Sequence, residues 1–264
     1  MMRTRFAPTP SGYLHDGNVV NLLLVSWLRE QHQGEFALRI DALDTDRQRP
    51  EYLQDIFQTL SWLDVRWEIG PQSFTDVQPS DAYDHWRQRA LDLRRKHQGK
   101  TGLRSFVCRC SRRELAQSGS RSCIADCARV DLELVTNQNC LRLELPEQYR
   151  SLGHPVLWRR EGIPAYHLAS VLADDELGIT HVVRGEDLRE ATQIQLLLAE
   201  ALGADHVSKA TYLHHGLVRA ADGTKLSKST LTHGSPAPKT AARRAALIEL
   251  ARAFGRPLGI APHG

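Results

Sequence analysis

The sequence predicts an α/β fold: a parallel sheet of Rossmann type, interrupted by a smaller α+β subdomain and followed by a short C-terminal helical tail. Three observations predict it. A strand, a tight loop and a helix entry occupy residues 5–18 (RFAPTPSGYLHDGN), and a second strand follows that helix by residue 40. Strand, helix and strand in so short a span imply a right-handed parallel crossover. Four of the five cysteines crowd into residues 108–127, where helical periodicity gives way to short alternating strands. After residue 162 the strand and helix pattern returns, so the interrupted sheet is resumed.

Each element has its own warrant. Pro8, Pro10 and Gly12 turn the first loop, and the apolar run 19–28 predicts a helix over 18–30. EFALRI (35–40) reads as a buried strand. Residues 50–63 read as a helix with Pro50 in its first turn and Leu53, Ile56, Phe57, Leu60 and Leu63 on one face. A third helix covers 81–95. Alternation at Leu141, Leu143 and Leu145 marks a strand inside the interrupting segment. Residues 163–173 and 193–202 return to helical period around a strand at 178–184, and 210–217 leads into the loop ADGTKLSKS (221–229). An Ala- and Arg-rich helix over 239–254 closes the chain. The expected domains are therefore 1–98 and 163–234 for the two halves of the sheet domain, 99–162 for the inserted subdomain, and 235–264 for the tail.

Composition narrows the class. A chain of 264 residues, 41% hydrophobic, can bury a core, and no run approaches the eighteen apolar residues of a membrane span. The start of the chain has no signal-like apolar stretch, so the expectation is a cytoplasmic protein with no membrane partner. An odd number of crowded cysteines argues against a secreted disulfide framework. The formal charge of +3 is too small for a global attraction to polyanions, so an RNA partner would have to be met by local patches. The pairs at Arg94 and Arg95, Arg112 and Arg113, Arg159 and Arg160, and Arg243 and Arg244 could follow an RNA backbone; singly, each also suits a solvated face.

Three stretches carry chemistry. A helix entered from a tight loop presents free N–H groups and its positive dipole end, which favour an anion, and His15 at that mouth can donate to a phosphate oxygen. Lys225 and Lys228 on a Gly-hinged loop suit the charge that builds on a triphosphate under attack at its α-phosphorus. Cys108, Cys110, Cys123 and Cys127 form C-x-C, twelve residues, then C-x-x-x-C, from which four thiolates could close a tetrahedral zinc site. The alternative of reduced core cysteines sits poorly with Arg109, Arg112, Arg113 and Asp126 in the same stretch. Cys140, in an alternating strand, reads as packing.

HDGN and KLSKS resemble, in order, the HIGH and KMSKS motifs of class I aminoacyl-tRNA synthetases. RFAPTPSGYLH, LRIDALDTDR, PAYHLASVLADDELGITHVVRGEDL and KLSKS further resemble the glutamyl branch of that class, so the resemblance spans 5–229. It implies a ligase that uses ATP with Mg2+ to activate glutamate, within a Rossmann domain carrying an inserted zinc-bearing subdomain. His15, Lys225 and Lys228 take catalytic roles by resemblance, and His15, Gly17, Asn18 and Lys228 bind ATP. Arg5, Ala7, Thr9, Asp41, Tyr166 and Arg184 match the glutamate site. An Arg fork at 184 would favour a carboxylate over its amide.

The chain departs from the pattern at Asp16, where the motif has an aliphatic residue, at Asp41, where the glutamyl branch has Glu, and at Ser170, where Asn is common. It resembles most the short members of the branch, which lack an anticodon-binding domain. Those members activate glutamate without tRNA and transfer it to the queuosine base of tRNA(Asp); their third zinc ligand is a Tyr, near which Cys123 falls. A monomer is expected. Transfer to another acceptor and a non-catalytic binding role are the competing readings.

Overall fold

The computed structural model describes residues 1–41, 43, 48–77, 83–95, 103–218 and 235–262. In chain order the elements are β1 (Arg3–Phe6), α1 (Asp16–Gln31), β2 (Glu35–Leu38), α2 (Pro50–Trp62), α3 (Tyr83–Arg95), β3 (Arg104–Cys108) and α4 (Arg112–Gln117). There follow β4 (Cys140–Glu144), β5 (Val156–Trp158), α5 (Tyr166–Glu176), β6 (His181–Gly185), α6 (Arg189–Leu202), α7 (Asp205–Ser208), β7 (Thr211–His215) and α8 (Ala241–Gly255). They form two compact units. The first comprises Met1–Pro79, Ile179–Arg189 and Ala210–Gly264; the second comprises Ser80–Gly178 and Glu190–Lys209.

The first unit carries the parallel strands. β1 pairs with β2 from Arg3 opposite Glu35 to Phe6 opposite Leu38, and the pairing continues past the strand ends as Arg39 N–H donates to Phe6 O and Asp41 N–H to Pro8 O. β6 pairs with β7 from His181 opposite Thr211 to Gly185 opposite His215. The two ribbons meet where Thr180 N–H donates to Arg3 O and Arg3 N–H to Thr180 Oγ1, both at 2.9 Å. Phe36, Leu38, Leu22, Leu24, Ile56 and Leu60 are fully buried around them. Gly70 has φ +102° beside β2, and a Cβ there would lie 2.0 Å from Leu38 O, so the turn accepts only glycine.

α1 is apolar on nearly every face, with Val19, Val20, Leu22–Leu28 all buried, as befits a helix packed between a sheet and a second helix. That second helix is α8, whose Leu247 and Ala251 join the same core. α2 turns Ile56 and Leu60 inward as its sequence predicts, but the same face also buries Tyr52, Thr59 and a carboxylate, Asp55. Leu53 and Phe57 pack at the margin of the core.

The second unit is built on an antiparallel sheet of order β3-β4-β5, with Cys108 opposite Cys140 and Leu141 opposite Trp158. α3 is tied to it by Ser105 Oγ, which donates to Ala90 O, and to α5 by Trp86 Nε1, which donates to Glu176 at 2.6 Å. α5 starts at Tyr166, three residues later than its apolar period predicts. Ile163 precedes a proline, which disfavours helical backbone, and 163–165 instead complete a hairpin in which Arg159 N–H donates to Ile163 O. α6 starts earlier than predicted, at Arg189, because Glu186–Leu188 forms a 3-10 turn that runs straight into it.

Candidate active site and cysteine cluster

The mouth of α1 is set by a reciprocal cap. His15 takes extended backbone as N-cap, its Nδ1 accepts the Asn18 N–H at 3.3 Å, and Asn18 Oδ1 accepts the His15 N–H at 3.2 Å. With Nδ1 an acceptor, the neutral ring carries its proton on Nε2, a donor suited to a phosphate oxygen. Gly17 leaves room for this ring: a Cβ there would meet His15 Cε1 at 3.0 Å.

Asp16, which would repel phosphate if it faced the mouth, is turned onto α8. Its Oδ1 receives Arg243 Nη2 at 2.5 Å and Nε at 3.2 Å. The loop before His15 is held from α2: Leu14 N–H donates to Asp55 Oδ2 at 2.9 Å, while Lys239 Nζ donates to Asp55 Oδ1 at 2.6 Å. Sequence reasoning missed Asp55, whose signal is a carboxylate within the apolar stripe of a helix, and missed Lys239 as its counterpart and Arg243 as the counterpart of Asp16. The Arg243 and Arg244 pair is accordingly engaged within this unit, Arg244 donating to Leu63 O at 3.0 Å.

At the C-terminal end of β1, Arg5 is buried to 8% exposure, and Ala7 and Thr9 continue the chain toward the α1 loop. Asp41 stands beside Pro8, and Arg39 grips its carboxylate with both arms, Nε to Oδ1 at 2.7 Å and Nη2 to Oδ2 at 3.2 Å. Arg184, on β6, is 5% exposed with its guanidinium 4.6 Å from the Tyr212 ring centroid, a cation-π contact.

On β7, burial and the nearby Arg184 and Arg189 charges push His214 down to about 4. Its neighbour His215 is also lowered by burial; it donates from Nδ1 to Gly216 O and receives Asn21 Nδ2 at Nε2, while Asn21 also donates to Val183 O. Both histidines are neutral at neutral pH. Lys225 and Lys228 lie outside the described residues.

In the second unit, Tyr166 opens α5 with its side chain partly exposed, and Ser170 is buried on the same helix. Cys108 ends β3, Cys110 follows it, and Cys123 and Cys127 return from the loop ahead of β4; the four Sγ atoms all lie within 4.8 Å of one another. Thiolates at about 2.3 Å around zinc stand roughly 3.8 Å apart. The Cys110 to Cys123 separation of 3.6 Å therefore fits a tetrahedral ion, and the cluster could hold a metal. Burial pushes the Cys123 thiol up to about 12, so an incoming cation has protons to displace. Cys140 packs against the cluster and donates its thiol to Cys108 O. Nearby, an open cavity of about 850 Å3 is lined by charges of both signs, Arg87, Arg94, Arg104 and Arg129 with Asp131 and Glu133, and Arg94 and Arg104 are paired with Asp131 and Glu144.

Parallel strand pairs, a capped helix mouth and buried arginines near strand ends sit within a class I synthetase catalytic fold, which the family match shows. Residues 1–256 match the family described as tRNA synthetases class I (E and Q), catalytic domain, and the chain belongs to that family. It is 38% identical over 235 residues to a protein of Synechococcus sp. named Glutamyl-Q tRNA(Asp) synthetase, covering 86% of this chain and 73% of that one. It is 34% identical over 245 residues to Glutamate--tRNA ligase 2 of Dinoroseobacter shibae, covering 86% of this chain and 55% of the ligase. The chain thus spans little more than half the length of the glutamate-tRNA ligases it matches. The crystal structure of glutamate-tRNA synthetase from Elizabethkingia anophelis superposes on 86% of this chain and 52% of its own, with TM-score 0.64 and 24% identity, a likeness of fold.

Proposed function

We propose that this chain activates glutamate with ATP as glutamyl-adenylate, without tRNA, and passes the glutamyl group to the queuosine base of tRNA(Asp). The observation that carries the reading is the pair of buried arginines, Arg5 and Arg184, on β1 and β6 of the same unit that holds the His15 cap. Buried guanidinium groups at strand ends suit a dicarboxylate, and the cap suits a phosphate. The relative named Glutamyl-Q tRNA(Asp) synthetase supports the choice of acceptor: this chain covers 73% of it, against 55% of the ligase.

In this mechanism a glutamate α-carboxylate oxygen attacks the α-phosphorus of ATP and pyrophosphate leaves. A hydroxyl of the acceptor base then attacks the adenylate carbonyl and AMP leaves. Nothing in either step needs a protein nucleophile, so the work is positioning and charge stabilisation. His15 donates from Nε2 to a phosphate oxygen, Lys225 and Lys228 meet the charge on the leaving pyrophosphate, and Mg2+ offsets the triphosphate. Asp41 takes the substrate ammonium on the lone pairs that the Arg39 fork leaves over, and Arg184 takes a carboxylate. Ala7 and Thr9 contribute to the amino-acid pocket, and Tyr166 is assigned to glutamate binding by the resemblance of its sequence stretch alone. Cys108, Cys110, Cys123 and Cys127 would hold a zinc ion, which would supply a structural cross-link.

Glutamate-dependent exchange of pyrophosphate into ATP, run across the twenty amino acids with no RNA added, tests the first step. Glutamate alone is expected to support exchange. Exchange with another amino acid would refute the glutamate assignment, and none in the presence or absence of tRNA would refute activation. Attachment of labelled glutamate to tRNA(Asp) with queuosine, and not to tRNA(Asp) lacking it, tests the second.

A further inference from the structure

The geometry points to Arg243 as a positioning residue for nucleotide binding, acting through Asp16: it neutralises that carboxylate and holds it away from the mouth of α1. The inference rests on the reading that phosphate occupies this mouth. Asp16 is the first residue of α1, one position after the His15 cap. A carboxylate there favours the helix dipole but opposes any anion at the same N–H groups. Neutralisation is therefore a condition for binding.

Arg243 is built to supply it. Both Nη2 and Nε donate to Asp16 Oδ1, Nη1 donates to Pro238 O at 3.2 Å, and the guanidinium lies 5.3 Å from the Trp62 ring centroid. The guanidinium is thus fixed on three sides. Its helix is fixed too: Thr240 caps α8 by accepting Arg243 N–H, Arg244 is tied to Leu63 O, and Lys239 to the buried Asp55. Asp55 in turn holds Leu14 N–H in the loop that leads to His15. The first turn of α8 and Lys239 just ahead of it therefore control both the charge beside the cap and the backbone before it.

Four proteins decide the matter: wild type, R243Q, D16N and D16N/R243Q. The readouts are the KM for ATP in pyrophosphate exchange and the Kd for ATP with Mg2+ by calorimetry without glutamate. R243Q is expected to raise both by about tenfold, from one uncompensated charge near phosphate, with kcat and the KM for glutamate little changed. D16N should behave as wild type, and D16N/R243Q should recover wild-type ATP affinity, because removing the carboxylate removes the need for its partner. A merely structural Arg243 would leave the double variant as weak as R243Q, and that result overturns the inference, as does unchanged affinity in R243Q. If R243Q does not fold, R243K keeps the charge without the fork and should hold ATP affinity within about threefold; a larger loss overturns the inference. Wild-type protein that binds ATP without exchange would refute the proposed reaction while the Kd series still decides the role of Arg243. Wild-type protein that binds no ATP would overturn both.

Discussion

The carboxylate of Asp55 accepts the backbone N–H of Leu14 at 2.9 Å from the inward face of a helix that also buries Ile56 and Leu60. It joins α2 to the loop ahead of the His15 cap, and Lys239 balances its charge at 2.6 Å. Asp55→Ala leaves a buried N–H and a half-buried ammonium without partners. A loss of about 2–4 kcal/mol in urea unfolding is expected. Asp55→Asn can still accept from Leu14 and should lose less; equal losses would mean that the Leu14 bond contributes little.

Gly17→Ala addresses the cap itself. A Cβ 3.0 Å from the His15 ring forces that ring to shift while the helix gains a better helix former. Thermal stability is expected to hold within a few degrees, while pyrophosphate exchange falls about tenfold or more. Unchanged exchange would free the His15 ring from any role in the reaction.

Cys108→Ser should abolish metal binding measured by elemental analysis, since it removes one of four converging thiols. Cys140→Ser should retain it, because Cys140 stands outside the group of four converging thiols and a hydroxyl can make its hydrogen bond to Cys108 O. Loss of metal in both variants would assign the wrong ligand set.

His214 titrates at about 4 in the fold and at about 6.5 when unfolded, so the unfolded chain binds the extra proton first. Stability from this residue is complete above pH 6.5 and declines as pH falls toward 4. Nuclear magnetic resonance of the imidazole should show no titration between pH 8 and 5, and His214→Asn should flatten the acid side of the unfolding profile. A midpoint near 6.5 in the native protein would remove the burial argument.

Most of the first unit was legible from sequence, because its elements have strong local signatures. An apolar run and an apolar strand place α1 and β2 within two residues of their observed bounds, and the proline-turned loop places a strand ahead of them without fixing its ends. The four cysteines converge as their spacing implied. What escaped was non-local. Asp55 reads as one polar residue on a helix until Leu14 and Lys239 are brought to it from far along the chain. The grouping of α3 and α5 with the antiparallel sheet depends on contacts such as Trp86 to Glu176, which no periodicity reports. The late start of α5 was visible in Ile163–Pro164, and helical spacing alone outweighed it.

The two units should also differ in folding order. The second contains one continuous stretch, 80–178, with an antiparallel sheet of neighbouring strands, whereas the first joins distant segments in parallel. In refolding followed by pulsed hydrogen exchange, amides of Phe106, Leu141 and Leu143 are expected to gain protection before those of Phe36 and Val183. Simultaneous protection would show that the units fold as one.

Asn21, in the first helix, reaches Val183 O and His215, 162 and 194 positions further along, and Asp16 reaches Arg243, 227 positions on. On the ribosome, α1 therefore emerges long before the groups that finish its surroundings exist. A helix apolar on nearly every face must wait in that interval, so the nascent chain carries its most aggregation-prone surface early and covers it only when β6, β7 and α8 arrive.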